Sequence, residues 1–454
     1  MVDTENSTTT DKSDVSYSLQ DLNVESCIIT PYNGDSYDLK QLMVELSYYE
    51  DIFSFCASGY ITVRDAVGLI EAFELSGKES IEIKFGKFRD DTFNLPPQKF
   101  IVYKVSNRHP LGNMNSEFYT LYFCSQELLT SEQVKVSKAY TGYNISKIVT
   151  DILTNNLKSP DKIYDVENTV GTYDFVIPTL KPFEAISWLS TYARPEGSGT
   201  TGLVGADMLL FETKQGYRFA SLNTLKNQDS YATYRYQQNN LNTTNEAFDD
   251  ESVSVLSFEI IKAFDTLNSV SSGAFSNRTI VIDPLTKTYE VKNFDYNTYV
   301  SDITPVNSSG ILPDITNKDG KSVNENYEGK LSVAWGNPHE TDVPYIKDRP
   351  GSVAKDVFVQ DYIRYRTAQL SLANHTVVKL VVPGDYGLVA GATIDFNMFS
   401  LSNGENRELD KFYSGKYLIT AVRHIAQSQG VYQTVLEIAK DSVLQDYQSM
   451  STSN

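Results

Sequence analysis

The chain has 454 residues, room for two to four domains that each bury a core, and its apolar share of 41% is ordinary for a globular protein. Lys and Arg number 39 against 58 Asp and Glu, a formal charge of −19, which argues against a general nucleic-acid binder because phosphates are repelled. No run approaches the ~18 apolar residues of a membrane-crossing helix, so membrane insertion is not expected.

The chain opens on MVDTENSTTTDKSDV, which lacks the basic and apolar regions of a signal peptide; residues 1–16 read as a disordered polar arm. From 17 to 128 the sequence reads as a first β-barrel domain. CIITPYNGDSYDL is strand, turn, strand, and further strands are expected over 42–49, 57–64, 80–87, 100–107 and 118–124, with a short helical connection within 65–73. The 30 tyrosines and 22 phenylalanines, with abundant Val, Ile and Thr, favour strands over helices, and Tyr also suits protein interfaces.

An α/β insert domain is expected over 129–223. In SEQVKVSKAYTGYNISKIVTDILTNNL, Val134 and Val136 alternate with Lys135 and Ser137 as a half-exposed strand, and Gly142 makes a turn. Ile145, Ile148, Val149, Ile152 and Leu153 then fall on one face of a helix capped by Asn144 and stopped by Asn155, Asn156 and Pro160. Pro182 opens a second helix whose apolar face is Phe183, Ile186, Leu189 and Ala193. The loop RPEGSGTTGLVG ends it, and two strands follow, over 208–213 and 217–222.

Residues 224–252 are polar and rich in Asn, Gln and Tyr, and read as a connector. A second β-barrel domain begins over 253–292, with strands at 253–264, 271–275, 279–283 and 288–292. An inserted lobe occupies 293–376. It is Gly-, Pro- and Asn-rich to 349 and then helical over 353–373, with Phe358, Tyr362, Tyr365 and Leu372 on one face and Asn374 as a left-handed cap. The barrel is completed over 377–443. Its last hairpin places Leu418, Thr420 and Val422 on one face and Tyr417, Ile419, Ala421 and Arg423 on the other. After the turn at 427–430, Tyr432, Thr434, Leu436 and Ile438 align. A polar tail covers 444–454.

Chemistry is sparse. Cys27, Cys56 and Cys124 sit among apolar or aromatic neighbours and behave as small hydrophobes; their odd number points to a reducing compartment during folding. His109, His339, His375 and His424 show no metal-ligand spacing, and HExxH, CxxC, GxSxG and Walker-type motifs are absent from the sequence. GSGTTGLVG follows a helix rather than a strand, so it is a loop and not a dinucleotide fingerprint. Glu184 and Glu196 can be imagined as glycosidase carboxylates, but among 58 acids such pairs arise by chance. His424 is expected to be a hydrogen-bonded structural residue. No catalytic, cofactor-binding or metal residue is assigned, and no cofactor is expected.

Four segments carry a resemblance to the baseplate hub proteins of contractile-tailed phages, and more distantly to the N-terminal part of type VI secretion spike proteins. They are FYTLYFCSQELLTSEQVKVSKAYTGYNISKIVTDIL, MLLFETKQGYRFASLNTL, VVKLVVPGDYGLVAGATIDF and the hairpin over 414–443. The resemblance implies a mainly β fold with two similar barrels and α/β inserts, and a homotrimer whose six barrels form a pseudo-six-fold ring. It implies a structural, non-enzymatic part of the virion, assembled in the host bacterial cytoplasm, that joins the six-fold tail tube to the three-fold spike and lets DNA pass without holding it. The implied partners are the central spike protein, tail tube or tube-initiator proteins, baseplate wedge proteins and the tape-measure protein. The alternatives weighed are a receptor- or glycan-binding tail protein and a tail-associated cell-wall hydrolase.

Overall fold

The computed structural model describes residues 22–444 apart from 33, 74, 88–96, 113–115, 197–206, 237–252, 284–286, 301–304, 308–309, 312–314, 336–358, 400–408 and 429. The N-terminal arm, most of the connector, the loop after the second helix, residues 445–454 of the tail, and residues 336–358 with His339 and Phe358 therefore lie outside the described residues.

The first β unit follows the expected order: β1 (Leu22–Thr30), β2 (Tyr37–Asp38), β3 (Met43–Asp51), β4 (Ser58–Asp65), the short helix α1 (Leu69–Phe73), β5 (Ser80–Lys87), β6 (Gln98–Pro110) and β7 (Glu117–Cys124). All pairings are antiparallel, with neighbours β3-β4-β7-β6-β5-β1-β2. Period-2 alternation sends Leu46, Ile61, Val63, Leu121 and Phe123 to a core where each is fully buried.

The insert follows as α2 (Gln126–Gln133), β8 (Ala139–Tyr143), α3 (Ile145–Asp151), β9 (Ile163–Val166), β10 (Tyr173–Val176), α4 (Pro182–Ser190), β11 (Met208–Thr213), β12 (Gly216–Ser221) and α5 (Leu222–Lys226). Asn144 caps α3 as expected, its side chain accepting from the Lys147 N–H at 3.3 Å. The helix runs into a π-helical turn, Ile152–Asn156. All five residues of its apolar face are fully buried, each contributing ~1.5–3 kcal/mol. The face of α4 is buried likewise.

Two expectations are corrected here. The strand falls at Ala139–Tyr143, paired with β10, while Val136 makes only an isolated bridge to Leu180. Gly142 lies within that strand at positive φ, its N–H donating to Asp174. The helix α2 was not anticipated, because Leu128 and Leu129 remain exposed and give it no apolar face.

The second β unit begins inside the expected connector: Ser230–Tyr236 forms β13, followed by β14 (Val253–Ser254) and β15 (Ser257–Lys262). A lobe then comprises α6 (Thr266–Ser272), β16 (Ser276–Asp283), β17 (Thr288–Asp295), α7 (Tyr296–Val300), β18 (Leu331–Trp335) and α8 (Val359–Ala373). β16 and β17 were expected in the second barrel. They instead form a separate three-stranded sheet with β18, in the order β17-β16-β18, so pairing assigns them to the lobe. The expected strand at 271–275 is instead the end of α6 and its cap, Gly273 at φ 86°. Asn374 ends α8 without a left-handed backbone; among the described non-glycine residues that conformation belongs to Asn107, Lys158, Thr179 and Lys287.

β19 (Thr376–Pro383), β20 (Thr393–Met398), β21 (Gly415–Gln427) and β22 (Tyr432–Lys440) complete the chain. β21 is the joining strand. Its first residues pair with β20, its length with β22, and residues 421–427 with β3. The strands of both units thus share one curled, half-barrel-like, 14-stranded sheet, and the mainly β architecture agrees with expectation. Tyr386, Ala426 and Tyr432 from the C-terminal region complete the core of the first unit.

Candidate functional site

Where the three main segments meet, the structure buries charge. Glu50, at the end of β3, is 1% exposed. Its carboxylate accepts from the Lys214 backbone N–H at 2.7 Å, the Ala390 N–H at 3.0 Å and the Tyr48 hydroxyl at 3.2 Å. Those donors come from the β11–β12 turn of the insert, the loop before β20 and β3 itself. The Lys214 Nζ donates to the Leu388 carbonyl at 3.2 Å and lies 4.0 Å from the centre of the Tyr386 ring. Burial raises the Glu50 pKa above the ordinary carboxylate value, against the opposing pull of Lys214 and the two backbone donors. The turn that delivers Lys214 needs Gly216, whose φ is 126° and where a Cβ would fall 2.3 Å from the Lys162 carbonyl oxygen.

Two further knots repeat this pattern. Glu212 accepts from the Ala57 N–H at 3.0 Å, and Lys162 bridges it to Glu127 at 3.2 and 2.8 Å, so the first β unit is pinned to the insert. Burial depresses the Lys162 pKa, but the two carboxylates outweigh it and hold it above the ordinary lysine value. Lys226 of α5 pairs with Asp441 at 2.7 Å, and both are buried. Asp441 also accepts from the Val306 N–H at 3.1 Å. Asn307 bonds in turn to Ser442 and to the backbone of Lys416, which ties insert, second β unit and lobe together. Burial pushes Asp441 up, but Lys226 and the hydrogen bonds prevail and hold it below the ordinary range. Such groups hold segments in fixed relation: a buried carboxylate bonded from several elements is costly to move.

The residues singled out in the sequence are placed apart from one another. His424 is fully buried beside Tyr48 and Tyr386, its Nδ1 3.1 Å from the Tyr432 hydroxyl and 3.2 Å from Thr434 Oγ1. Burial, with Lys214, lowers its pKa well below the ordinary value, in keeping with a structural imidazole. Burial likewise takes His375 down to about 4. His109 is exposed in β6. Glu184 is exposed and accepts from the Lys181 N–H at 3.2 Å, bracing the start of α4, while Glu196 is exposed beyond its end. The three thiols are buried; burial raises Cys27 to about 12, Cys124 to about 11 and Cys56 higher still.

Among the described residues no group of three or more His, Cys, Asp or Glu is placed to hold a metal ion, and no described helix is long and apolar enough to cross a membrane. A cleft of about 370 Å³ between insert and second β unit is lined by Tyr164, Asp165, Arg218 and Gln228. Its charges already face one another: Arg218 bonds to Asp165 at 3.1 Å and to Gln228 at 3.3 Å. On the outer face of the central sheet, Tyr49, Tyr60, Tyr122 and Tyr103 stand in a row with ring centres 5.9–6.4 Å apart. Arg423 lies over Tyr49 and Tyr60, and Lys104 over Tyr122.

Sequence reasoning assigned no role to Glu50, Glu212, Lys214, Lys226 or Asp441. The one signal available was a charge at the edge of an apolar strand, as in MLLFET and VLEIAKD.

No protein-family model matches the chain. It is 21% identical over 408 residues to the "Probable baseplate hub protein gp334" of Vibrio phage KVP40, covering 88% of this chain and 90% of that relative. The structure is similar to a tail protein from Neisseria meningitidis MC58 (TM-score 0.51, 9% identity, 92% of this chain and 96% of that one). It is also similar to the 43 kDa tail protein of prophage MuSo2 from Shewanella oneidensis (TM-score 0.50, 9% identity, 92% and 99%). The resemblance carried by the four sequence segments is therefore shown: over most of its length this chain is a relative of a phage baseplate hub protein, with the fold of phage tail proteins.

Proposed function

We propose that this chain is the hub subunit of a contractile tail baseplate, a structural virion protein that assembles in the host bacterial cytoplasm. The observation that carries this reading is the hub relative, matched nearly end to end on both sides. In this reading three copies form a ring. The first β unit, over 17–128, and the second, built from β13–β15 and β19–β22, act as a repeated pair, with the insert over 129–223 and the lobe from α6 to α8 outside that repeat. Two units per chain and three chains give six similar edges, which lets the ring meet a six-fold tube on one side and a three-fold spike on the other. The partners are the spike, tube or tube-initiator proteins, baseplate wedge proteins and the tape-measure protein.

The buried knots support this role, because a hub that transmits load needs its segments locked together. No residue is proposed as catalytic, cofactor-binding or metal-ligating, and the protein acts by assembly rather than turnover. Each chain carries −19, so a ring of three repels DNA passing through it and does not retain it at physiological salt.

The test is the mass of the purified chain by sedimentation, alone and with the spike from the same tail. The proposal expects a trimer, either alone or once the spike is added. A stable dimer, or a monomer that the spike leaves unchanged, contradicts it. Micromolar DNA binding that weakens with salt contradicts the weak-grip part alone.

A further inference from the structure

The first β unit does not close on itself. Its strands run β3-β4-β7-β6-β5-β1-β2, and among the described strands neither β1 nor β2 pairs back to β3. The free side of β3 is taken instead by β21, residues 421–427 lying against 45–51. The core of the unit is finished from the same region. Tyr386, Ala426 and Tyr432, each no more than 5% exposed, pack in one cluster with Leu46, Leu121 and Phe123. The rings of Tyr386 and Tyr432 meet Phe85 of β5 edge to face, with centres 5.0 and 5.8 Å apart. Tyr432 in turn is seated against Gly384, where a Cβ would come 2.1 Å from the ring.

The second β unit makes no matching demand. Its apolar core draws on β13, β14, β19, β20, β21 and β22, with help from the insert and α8. To its buried members the first unit supplies only Ile52, just past the end of β3. Away from β3, β21 keeps β20 and β22 as partners, and β22 keeps β19. The anchorage of the β21–β22 hairpin therefore lies within the second unit, and β3 is the one strand it holds for the first.

We propose that this hairpin is a strap: the second β unit holds it in place, and the first β unit stays folded only while it is held, whereas the second stays folded when the first opens. Arg423 of the strap and Ser47 of β3 are 376 residues apart in sequence. The loop-closure cost of joining such distant segments is met by the fold of the second unit, and the first then forms against strands already in place. Without the strap β3 presents a bare edge and the core lacks three buried side chains, a combination that does not support an independent sheet. The consequence is a check on completeness, because a chain lacking the strap offers no finished first unit to any partner. The dependence holds whatever the number of copies in the assembled hub.

Hydrogen exchange of the full chain under native conditions, read peptide by peptide in low urea, tests this. Leu380→Ala removes a fully buried leucine from the second core and Leu121→Ala one from the first, and neither residue lies on the strap. Leu380→Ala is expected to raise the opening of β4 and β7, as well as that of β19 and β20, by about 30-fold or more. Leu121→Ala is expected to raise it by a like factor in β4 and β7 and to leave β19 and β20 within about 3-fold of wild type. If Leu380→Ala leaves β4 and β7 at their wild-type rates, the first unit stands alone and the strap is overturned. If Leu121→Ala speeds β19 and β20 as much as β4 and β7, the two units are one mutually dependent body and the one-way dependence is overturned. A second measurement needs no variant to fold. In pulse-labelled refolding of wild type, the amides of β4 and β7 are expected to gain protection together with those of β19–β22 or after them. Protection of β4 and β7 in an earlier phase contradicts the proposal.

Discussion

The segment junction and the lobe solve opposite problems. At the junction, polar groups are inside: Glu50, Glu212 and Asp441 are all nearly inaccessible, and each accepts hydrogen bonds from more than one element. In the lobe, apolar groups are outside, with Tyr289, Val333 and Leu331 more than half exposed. A buried carboxylate with several donors specifies one geometry and penalises every other, which is how separate segments are fixed. An exposed aliphatic face specifies nothing by itself and awaits a partner that completes it. Substitutions should therefore act on folding at the junction and on association at the lobe.

The largest effect is expected at the Lys226–Asp441 pair. Asp441→Ala leaves a buried ammonium and the Val306 N–H without their acceptor, and should cost about 3–5 kcal/mol in urea unfolding at pH 7. Lys226→Met with Asp441→Leu should recover part of that, because neither charge of the pair then stays buried, while Asp207 loses the cation that opposes its desolvation. A loss under about 1 kcal/mol for the single change breaks the comparison.

Glu50→Ala comes next. It strips the acceptor from the Lys214 and Ala390 amides, so about 3 kcal/mol is expected, with Glu50→Gln costing less because an acceptor remains. Equal losses for the two changes would mean that packing, not hydrogen bonding, sets the value.

The pH dependence isolates an unpaired group. Asp207, in the insert just before β11, is fully buried, and burial, opposed by Lys226, raises its pKa to about 6. A carboxyl with a raised folded pKa binds its proton more readily in the native state, so its contribution to stability grows as pH falls from about 6 towards the unfolded value near 4. Asp207→Asn should remove that gain and stabilise the protein at pH 7 by about 2–3 kcal/mol. Unfolding midpoints that move with pH in the same way in both proteins contradict it. The smallest effect is expected at the lobe: Tyr289→Ser should change the stability of the unassociated chain by no more than about 0.5 kcal/mol.

Much of this architecture was legible because period and punctuation coincide with burial. Helix α3 is readable from five apolar positions and the Asn144 cap, and the β21–β22 hairpin from alternation around Gly430. The misses share a cause. Ser230–Tyr236 reads as connector because its polar, Tyr-rich sequence shows no clean alternation, running from exposed Tyr231 to fully buried Tyr234, and its neighbour β20 comes from far along the chain. β16 and β17 alternate like barrel strands, and alternation does not say which sheet they join. The junction was illegible for the same reason: Glu50 meets Lys214 across 164 residues and Ala390 across 340, distances no local pattern spans.

The central claim, that this chain closes a three-fold hub, is tested most directly by electron-microscopy class averages of the purified full-length protein, with spike added if the chain alone is monomeric. The account predicts a three-fold ring with an open centre and six similar lobes of density around it. A two-fold particle, or single chains that the spike leaves unassembled, would contradict it.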